Sequence, residues 1–367
     1  MTTDRPSLQA LHFLTPGNFD DDRPREGLEA TLRLFEFGES LGLDGAWIRQ
    51  RHLEHGVSSA AVFVAAAGQR TRRIQLGTAV IPLGYETPFR LAEDLAVADV
   101  LSGGRLQIGV SAGLPPHAEL IGDEVFEGDW RNWDFSHGRA ERLIHHLSGA
   151  FFGDADTVIH SPGNVQRPRV QPFSPGLADR VWYGGGSLAS IEWAARAGRS
   201  ILIGNVISGE GTDDFTSAQT TLLGRYRSAL AVAVDEGVVD AATAASRRVA
   251  LGRVIVPIDG ADRAARERYR AYAHARLPRL GRGHGPKNTL FAPDLVGSAE
   301  EIVARLLADP LLAQVDELRL ELPYEFSPGD YEQILADVVG LVAPRLGWNS
   351  RVAAADPSFD ARVVAAN

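Results

Sequence analysis

Cysteine is absent from the 367 residues. That excludes disulfides, thiolate catalysis and cysteine-ligated metal, and it fits a reducing compartment, so a cytoplasmic protein is the expectation. Basic charge is in deficit as well. Against 47 aspartates and glutamates stand 37 lysines and arginines, a formal net charge of −10. A chain of that sign is poorly matched to nucleic acid or to an anionic membrane surface. No run of about 18 apolar residues occurs, so no membrane-crossing helix is expected. The opening stretch MTTDRPSLQALHFL lacks the basic start and apolar core of a secretion signal. The zinc-protease signature H-E-x-x-H is missing, and no fixed-period repeat or low-complexity tract appears.

What is present is a regular alternation. With 44% of residues hydrophobic there is ample material for a sizeable core. Short apolar runs occur at LQALHFL (8–14), DGAWI (44–48), RIQLGTAVI (73–81) and RLQIGVS (105–111). They continue at RVWYGG (180–185), SILIG (200–204), RVALGRVIVP (248–257) and ELRLEL (317–322). Between most of them lie stretches of helical period, such as GLEATLRLFEFGESLG and FRLAEDLAVADVLSGG, the second ending in a Gly-Gly helix stop. Eight strands alternating with helices predict an α/β fold, a parallel (β/α)8 barrel of the TIM type, with a doubly wound open sheet as the rival. Residues 1–348 are expected to form one barrel domain and 349–367 a tail. Two long segments, 120–135 and 278–297, interrupt the alternation at places where long loops are usually functional or mobile.

Three features carry chemistry. WIRQRHLEHG (47–56) gathers two histidines, two arginines and a glutamate, and its residues alone leave metal site, catalytic cluster and solvated loop open. GGGSLA (184–189) satisfies G-x-G-x-x-G/A formally, but the following strand SILIGN ends without the acidic residue that holds a ribose. Its glycines and the Ser187 hydroxyl at a helix start suit a phosphate; a plain strand-to-helix turn is the bland alternative. Arg253, inside an apolar strand, requires either a structural salt bridge or a ligand.

Taken in order and spacing, three segments resemble the luciferase-like flavin monooxygenases, most closely their bacterial luciferase branch. They are LGLDGAW leading to His52, LGTAVIPLGYETPFRLAEDLAVADVLSGGRLQIGVSAGL (76–114) and VWYGGGSLASIEWAARAG (181–198), with GSAEEIVARLL (297–307) as a weaker match. The resemblance implies a barrel with inserted loops that binds reduced FMN, supplied by a separate reductase. With molecular oxygen it would form a C4a-peroxyflavin that attacks a small, carbonyl-type substrate. It also implies a homodimer. Two rivals on the same fold are a dehydrogenase or reductase using a deazaflavin coenzyme and a non-catalytic flavin-binding relative.

Carried over by position, the family's Glu-His-His after the second strand falls on Gln50, Arg51 and His52. His52 is then the expected proton carrier, since an imidazole titrates near neutrality. Arg51 replaces the histidine tied to catalysis in luciferase and is a second catalytic candidate, offering charge to the reaction or to an acidic substrate. Phe13 is expected at the flavin, and Ala79-Val80 matches the family's non-prolyl cis peptide beneath its ring. Ser111 stands where luciferase has a reactive cysteine, and Ala112 replaces an arginine used on the phosphate. The phosphate must therefore rely on Gly184, Gly185, Gly186, Ser187 and Ser190, or borrow another cation. Trp130 and Trp133, in a stretch longer than the luciferase pattern, are expected to wall the substrate cavity. Lys287, on a mobile lid over 281–293, and Arg253 complete the substrate and lid candidates.

Overall fold

Eight parallel strands close into a barrel in the computed structural model, which describes residues 8–352 and residue 361. The strands are β1 (Ala10–Thr15), β2 (Gly45–Ile48), β3 (Gln75–Pro82), β4 (Leu106–Ser111), β5 (Val181–Gly184), β6 (Ser200–Ile203), β7 (Val249–Arg253) and β8 (Glu317–Glu321). Each of the eight apolar runs holds one of them, with β1 and β3 running one residue past the end of theirs. Consecutive strands are neighbours, and β8 returns to β1 with Phe13 opposite Leu320. The open-sheet alternative is thereby excluded. The intervening helices include α1 (Pro24–Ser40), α2 (Ala60–Arg70), α3 (Pro88–Ser102), α4 (Ala118–Phe126), α5 (Gly138–Leu147) and α6 (Leu188–Arg196). Gly103, at φ +73°, ends α3 in the left-handed conformation that the Gly-Gly stop predicts.

Alternation along each strand sends successive side chains to opposite faces. In β1, Leu11 and Phe13 face the helical layer, and Phe13 meets Phe35 of α1 edge-on at 5.7 Å. His12 and Leu14 face inward. The inner apolar layer is Leu14, Trp47, Ala79, Trp182, Leu202 and Ala250, with Trp47 and Trp182 edge to face at 5.7 Å. Gly77 is required by this packing, because a Cβ there would lie 2.0 Å from the Trp47 ring. The interior also carries charge. Glu317 binds His12 at 3.1 Å and Arg248 at 2.9 Å, while Glu321 binds Arg319 at 3.1 Å and Arg49 at 2.8 Å.

This alternation corrects one expectation and decides between the two readings of Arg253. Phe13 does not reach a flavin site: it is fully buried between the barrel and α1, and a side chain on Gly38 would collide with its ring at 2.5 Å. Arg253 follows Leu251 on the outer face of β7. Its Nε and Nη2 bind Asp309 at 3.0 and 2.7 Å, and Nη2 also donates to Gln219 at 2.7 Å. It is a structural ion pair rather than a ligand contact.

The interrupting segments are more ordered than loops. Much of 120–135 belongs to α4. The run 248–257 splits at Val254: Ile255–Pro257 leaves the barrel and pairs in parallel with Leu295–Gly297. Within the expected lid, Thr289–Phe291 pairs antiparallel with Val206–Ser208. At the end of the barrel, the Trp348 indole donates to Asp44 at 2.8 Å. Most of the expected tail, 353–360 and 362–367, lies outside the described residues.

Candidate active site

A cavity of about 250 Å³ opens at the C-terminal ends of β2, β3 and β4. Gln50, Arg51, His52, Ala79, Val80 and Ser111, all named from the sequence, line it together with Arg49 and Tyr85. The Ala79–Val80 peptide bond is cis. Catalytic groups at this end of the strands are the rule for such barrels, because the βα loops there vary without disturbing the barrel.

Gln50 organises the polar side. Its Oε1 accepts the Ala60 N–H at 3.0 Å, capping α2, and its Nε2 donates to Glu86 at 2.6 Å. The same Nε2 lies 3.1 Å from His52 Nε2. An amide nitrogen only donates, so His52 Nε2 must be the acceptor and the ring proton sits on Nδ1. This arrangement requires a neutral imidazole, and burial independently pushes the His52 pKa down. Burial also pushes Glu86 up towards its protonated form, only partly opposed by the Gln50 hydrogen bond. Glu86 escaped the sequence reading; its one signal is a carboxylate in the loop just after a barrel strand. The buried Arg139 of α5 holds that loop, donating to the carbonyls of Leu83, at 2.8 Å, and of Glu86. The Gln50 amide is thus fully engaged by the protein.

Arg51 donates to the Tyr324 hydroxyl at 2.9 Å, and its nearest carboxylate, Glu54, lies at 3.7 Å. His52 meets Tyr85 edge-on at 5.0 Å, and Tyr85 continues to Phe126 at 6.3 Å and Trp133 at 4.5 Å from Phe126. Trp133 therefore supports the cavity from behind Tyr85. Trp130 packs against Gly122 and Phe135, and neither tryptophan lines the cavity. His55 is turned away to Asp21 and Phe19. A larger cavity of about 830 Å³ lies beside the first, between α1 and residues 324–332, and shares Arg51 and Glu54 with it.

The glycine-serine turn joins β5 to α6. Ser187 caps the helix by accepting the Ser190 N–H at 3.3 Å, and the two hydroxyls meet at 2.9 Å. Gly184 touches the cavity wall: a Cβ there would lie 2.6 Å from Val80 Cγ1. The Leu188 N–H donates to the Glu210 carboxylate at 3.0 Å, a partner invisible in the sequence. The turn is also tied to the lid segment. Ser208 N–H donates to the Gly186 carbonyl at 2.7 Å, and the Ser208 hydroxyl donates to the Lys287 carbonyl at 2.8 Å. The Lys287 side chain is exposed.

Comparison with known proteins agrees with this geometry. Residues 8–311 match the model of the luciferase-like monooxygenase family. The chain belongs to that family. Limonene 1,2-monooxygenase of Rhodococcus erythropolis is 31% identical over 205 residues, 52% of this chain and 51% of that protein. The chain thus spans about half the length of this relative. Among solved structures, the oxygenating constituent of 3,6-diketocamphane monooxygenase from Pseudomonas putida, in complex with FMN, superposes with a TM-score of 0.63 at 14% identity, covering 92% of this chain and 98% of that one. An F420-dependent secondary alcohol dehydrogenase superposes at 0.57 and 14% identity, covering 92% and 99%. At such identities these likenesses show the luciferase-like barrel alone.

Proposed function

We propose that this protein is a flavin-dependent monooxygenase, taking reduced FMN from a separate reductase and using molecular oxygen on a small, carbonyl-type organic substrate. The observation that carries the reading is the meeting of Gln50, Arg51, His52, Ser111 and the cis Ala79–Val80 bond around one cavity. The residues present fit a flavin: the cavity floor is Ala79, Val80 and Ser111, and the turn at 184–190 already holds an anion, the Glu210 carboxylate on the Leu188 N–H.

Bound there, reduced flavin would supply the electrons that activate oxygen. Ala79, Val80 and Ser111 would support its ring, and the 184–190 turn would take its phosphate. His52, held neutral with Nε2 engaged by Gln50, can accept a proton from the reacting molecule at Nε2 in exchange for the Gln50 hydrogen bond. The 281–293 segment, linked through Ser208 to the phosphate turn, would cover the mouth and exclude water. Exposed Val62 on α2 with Val97, Val100 and Leu101 on α3 supports a homodimer.

Anaerobic titration with reduced FMN and with reduced deazaflavin, followed by stopped-flow mixing with oxygen, tests the reading. Tight FMN binding and an oxidation course distinct from that of free FMN are expected. Preference for the deazaflavin would indicate a hydride-transferring dehydrogenase. FMN binding with an oxidation course like that of the free cofactor would indicate a non-catalytic flavin binder.

A further inference from the structure

Positive charge is concentrated at one edge of the 250 Å³ cavity beyond what the protein neutralises. Arg49 and Arg51, two residues apart on the β2–α2 connection, both line it. Both guanidiniums lie against the same aromatic ring, that of Tyr324, at 5.6 and 5.9 Å from its centre. Like charges this close repel, and a shared aromatic face offsets only part of that. Beneath them, one buried carboxylate serves two arginines: Glu321 binds Arg49 at 2.8 Å and Arg319 at 3.1 Å. That trio carries one unit of surplus positive charge. Arg319 is buried, and its Nε and Nη1 have no hydrogen-bond partner among the described residues. Arg51 is compensated weakly. Glu54, at 3.7 Å, is beyond hydrogen-bond reach and lies equally far from His117. Such a half-exposed contact contributes little.

The Arg51 guanidinium is nevertheless held in place by Tyr324, through its hydroxyl at 2.9 Å and through the ring. A fixed, poorly compensated guanidinium suits a planar anion, because its fork donates two parallel hydrogen bonds to a carboxylate. The phosphate turn is not a competitor for it, since β5 lies three strands from β2 around the barrel. His52, neutral in this hydrogen-bond arrangement, adds no positive charge.

We propose that the substrate carries a carboxylate, which Arg51 binds at the rim of the 250 Å³ cavity while Tyr324 orients the guanidinium and the Arg49–Glu321–Arg319 group holds the rim positive. The inference rests on the monooxygenase reading, whose substrate class it narrows to small organic acids.

The test is calorimetric titration of acetate, hexanoate and benzoate, each against its amide, into the protein alone and into its anaerobic complex with reduced FMN. At least one acid is expected to bind ten-fold or more tightly than its amide. Arg51→Gln should remove that difference, Arg51→Lys should keep part of it, and FMN affinity should stay within two-fold in both variants. Circular dichroism and melting of each variant verify that it folds. No acid–amide difference in any pair, or a difference that persists in Arg51→Gln, overturns the proposal. Loss of FMN affinity in Arg51→Gln with acid binding intact would assign the arginine to the flavin and overturn it equally. Failure of the wild-type protein to bind FMN, with acid preference intact, would refute the flavin reading and leave the carboxylate site standing.

Discussion

The Gln50 amide donates to the Glu86 carboxylate at 2.6 Å, joining the β2–α2 and β3–α3 loops across the candidate active site. This bond needs a donor on one side and an acceptor on the other. Gln50→Glu removes the donor and sets two carboxyls against each other, so that both ionise only at a cost. Loss of stability of about 1–3 kcal/mol is expected from the broken buried bond. Melting should show a larger deficit at pH 8 than at pH 5, because protonation of one carboxyl restores a donor.

His52→Ala should lower turnover by roughly 10²-fold while leaving flavin affinity nearly unchanged, as for loss of an acid–base group. Burial depresses the His52 pKa, so the neutral, competent form survives below the ordinary histidine value. The acid limb of kcat/KM should therefore fall below about pH 6.5 and vanish in the variant. The same depression means the unfolded chain binds the proton more readily than the folded one. This group's contribution to stability is thus present above the unfolded pKa and declines as pH falls through about 6.5 towards the folded value. A limb at or above that pH counts against His52 as the base.

Glu210 occupies a donor that a flavin phosphate would use. Replacing it by glutamine removes the competing charge, and FMN should then bind roughly 3- to 10-fold more tightly, in line with a charge effect at a helix N-terminus. Riboflavin, without the phosphate, should bind as before. Equal changes for the two ligands in a fluorescence titration would place the phosphate elsewhere.

Deleting residues 282–288 removes Lys287, whose carbonyl accepts from Ser208, and most of the turn joined to the 206–208 strand. The cavity should then admit water during turnover. More hydrogen peroxide per flavin oxidised is expected, with flavin affinity little changed. Peroxide yields equal to wild type would mean that the segment is only a connection.

Arg253→Leu leaves Asp309 and Gln219 without their buried partner. Stripping one member from a buried pair costs about 3–5 kcal/mol, so a clear fall in the urea midpoint is expected. Flavin binding by the folded fraction should be unchanged. A selective loss of ligand binding at full stability would reinstate Arg253 as a site residue.

Local pattern alone determined where the strands lie and where α3 stops, and the family resemblance pointed to which loop residues after β2, β3 and β4 could meet. Apolar runs of strand length, a Gly-Gly stop and a strand-loop-helix order are properties of neighbouring residues, and these are legible one segment at a time. The Ala79–Val80 bond and the Gln50–His52 cluster were reachable because the resemblance is carried by contiguous motifs. Which face of a strand points inward was not legible. In a closed parallel barrel both faces of every strand are buried, so the inward and outward sets of β1 and β7 are similarly apolar, and a choice off by one residue exchanges them. Phe13 fell on the wrong side for that reason, and Arg253 stayed open between salt bridge and ligand contact until its ion pair with Asp309 decided it. Glu86, Arg139, Tyr324 and Glu210 gain their roles from partners distant in the chain, and Glu321 gains its role at the mouth through Arg49. Tyr324 meets Arg51 across 273 residues, and Glu210 reaches Leu188 from the next barrel strand's loop. Closing the barrel set the Arg51–Tyr324 and Arg49–Glu321 pairs, because only the return of β8 to β1 beside β2 brings the end of the chain to the mouth that its first loops begin.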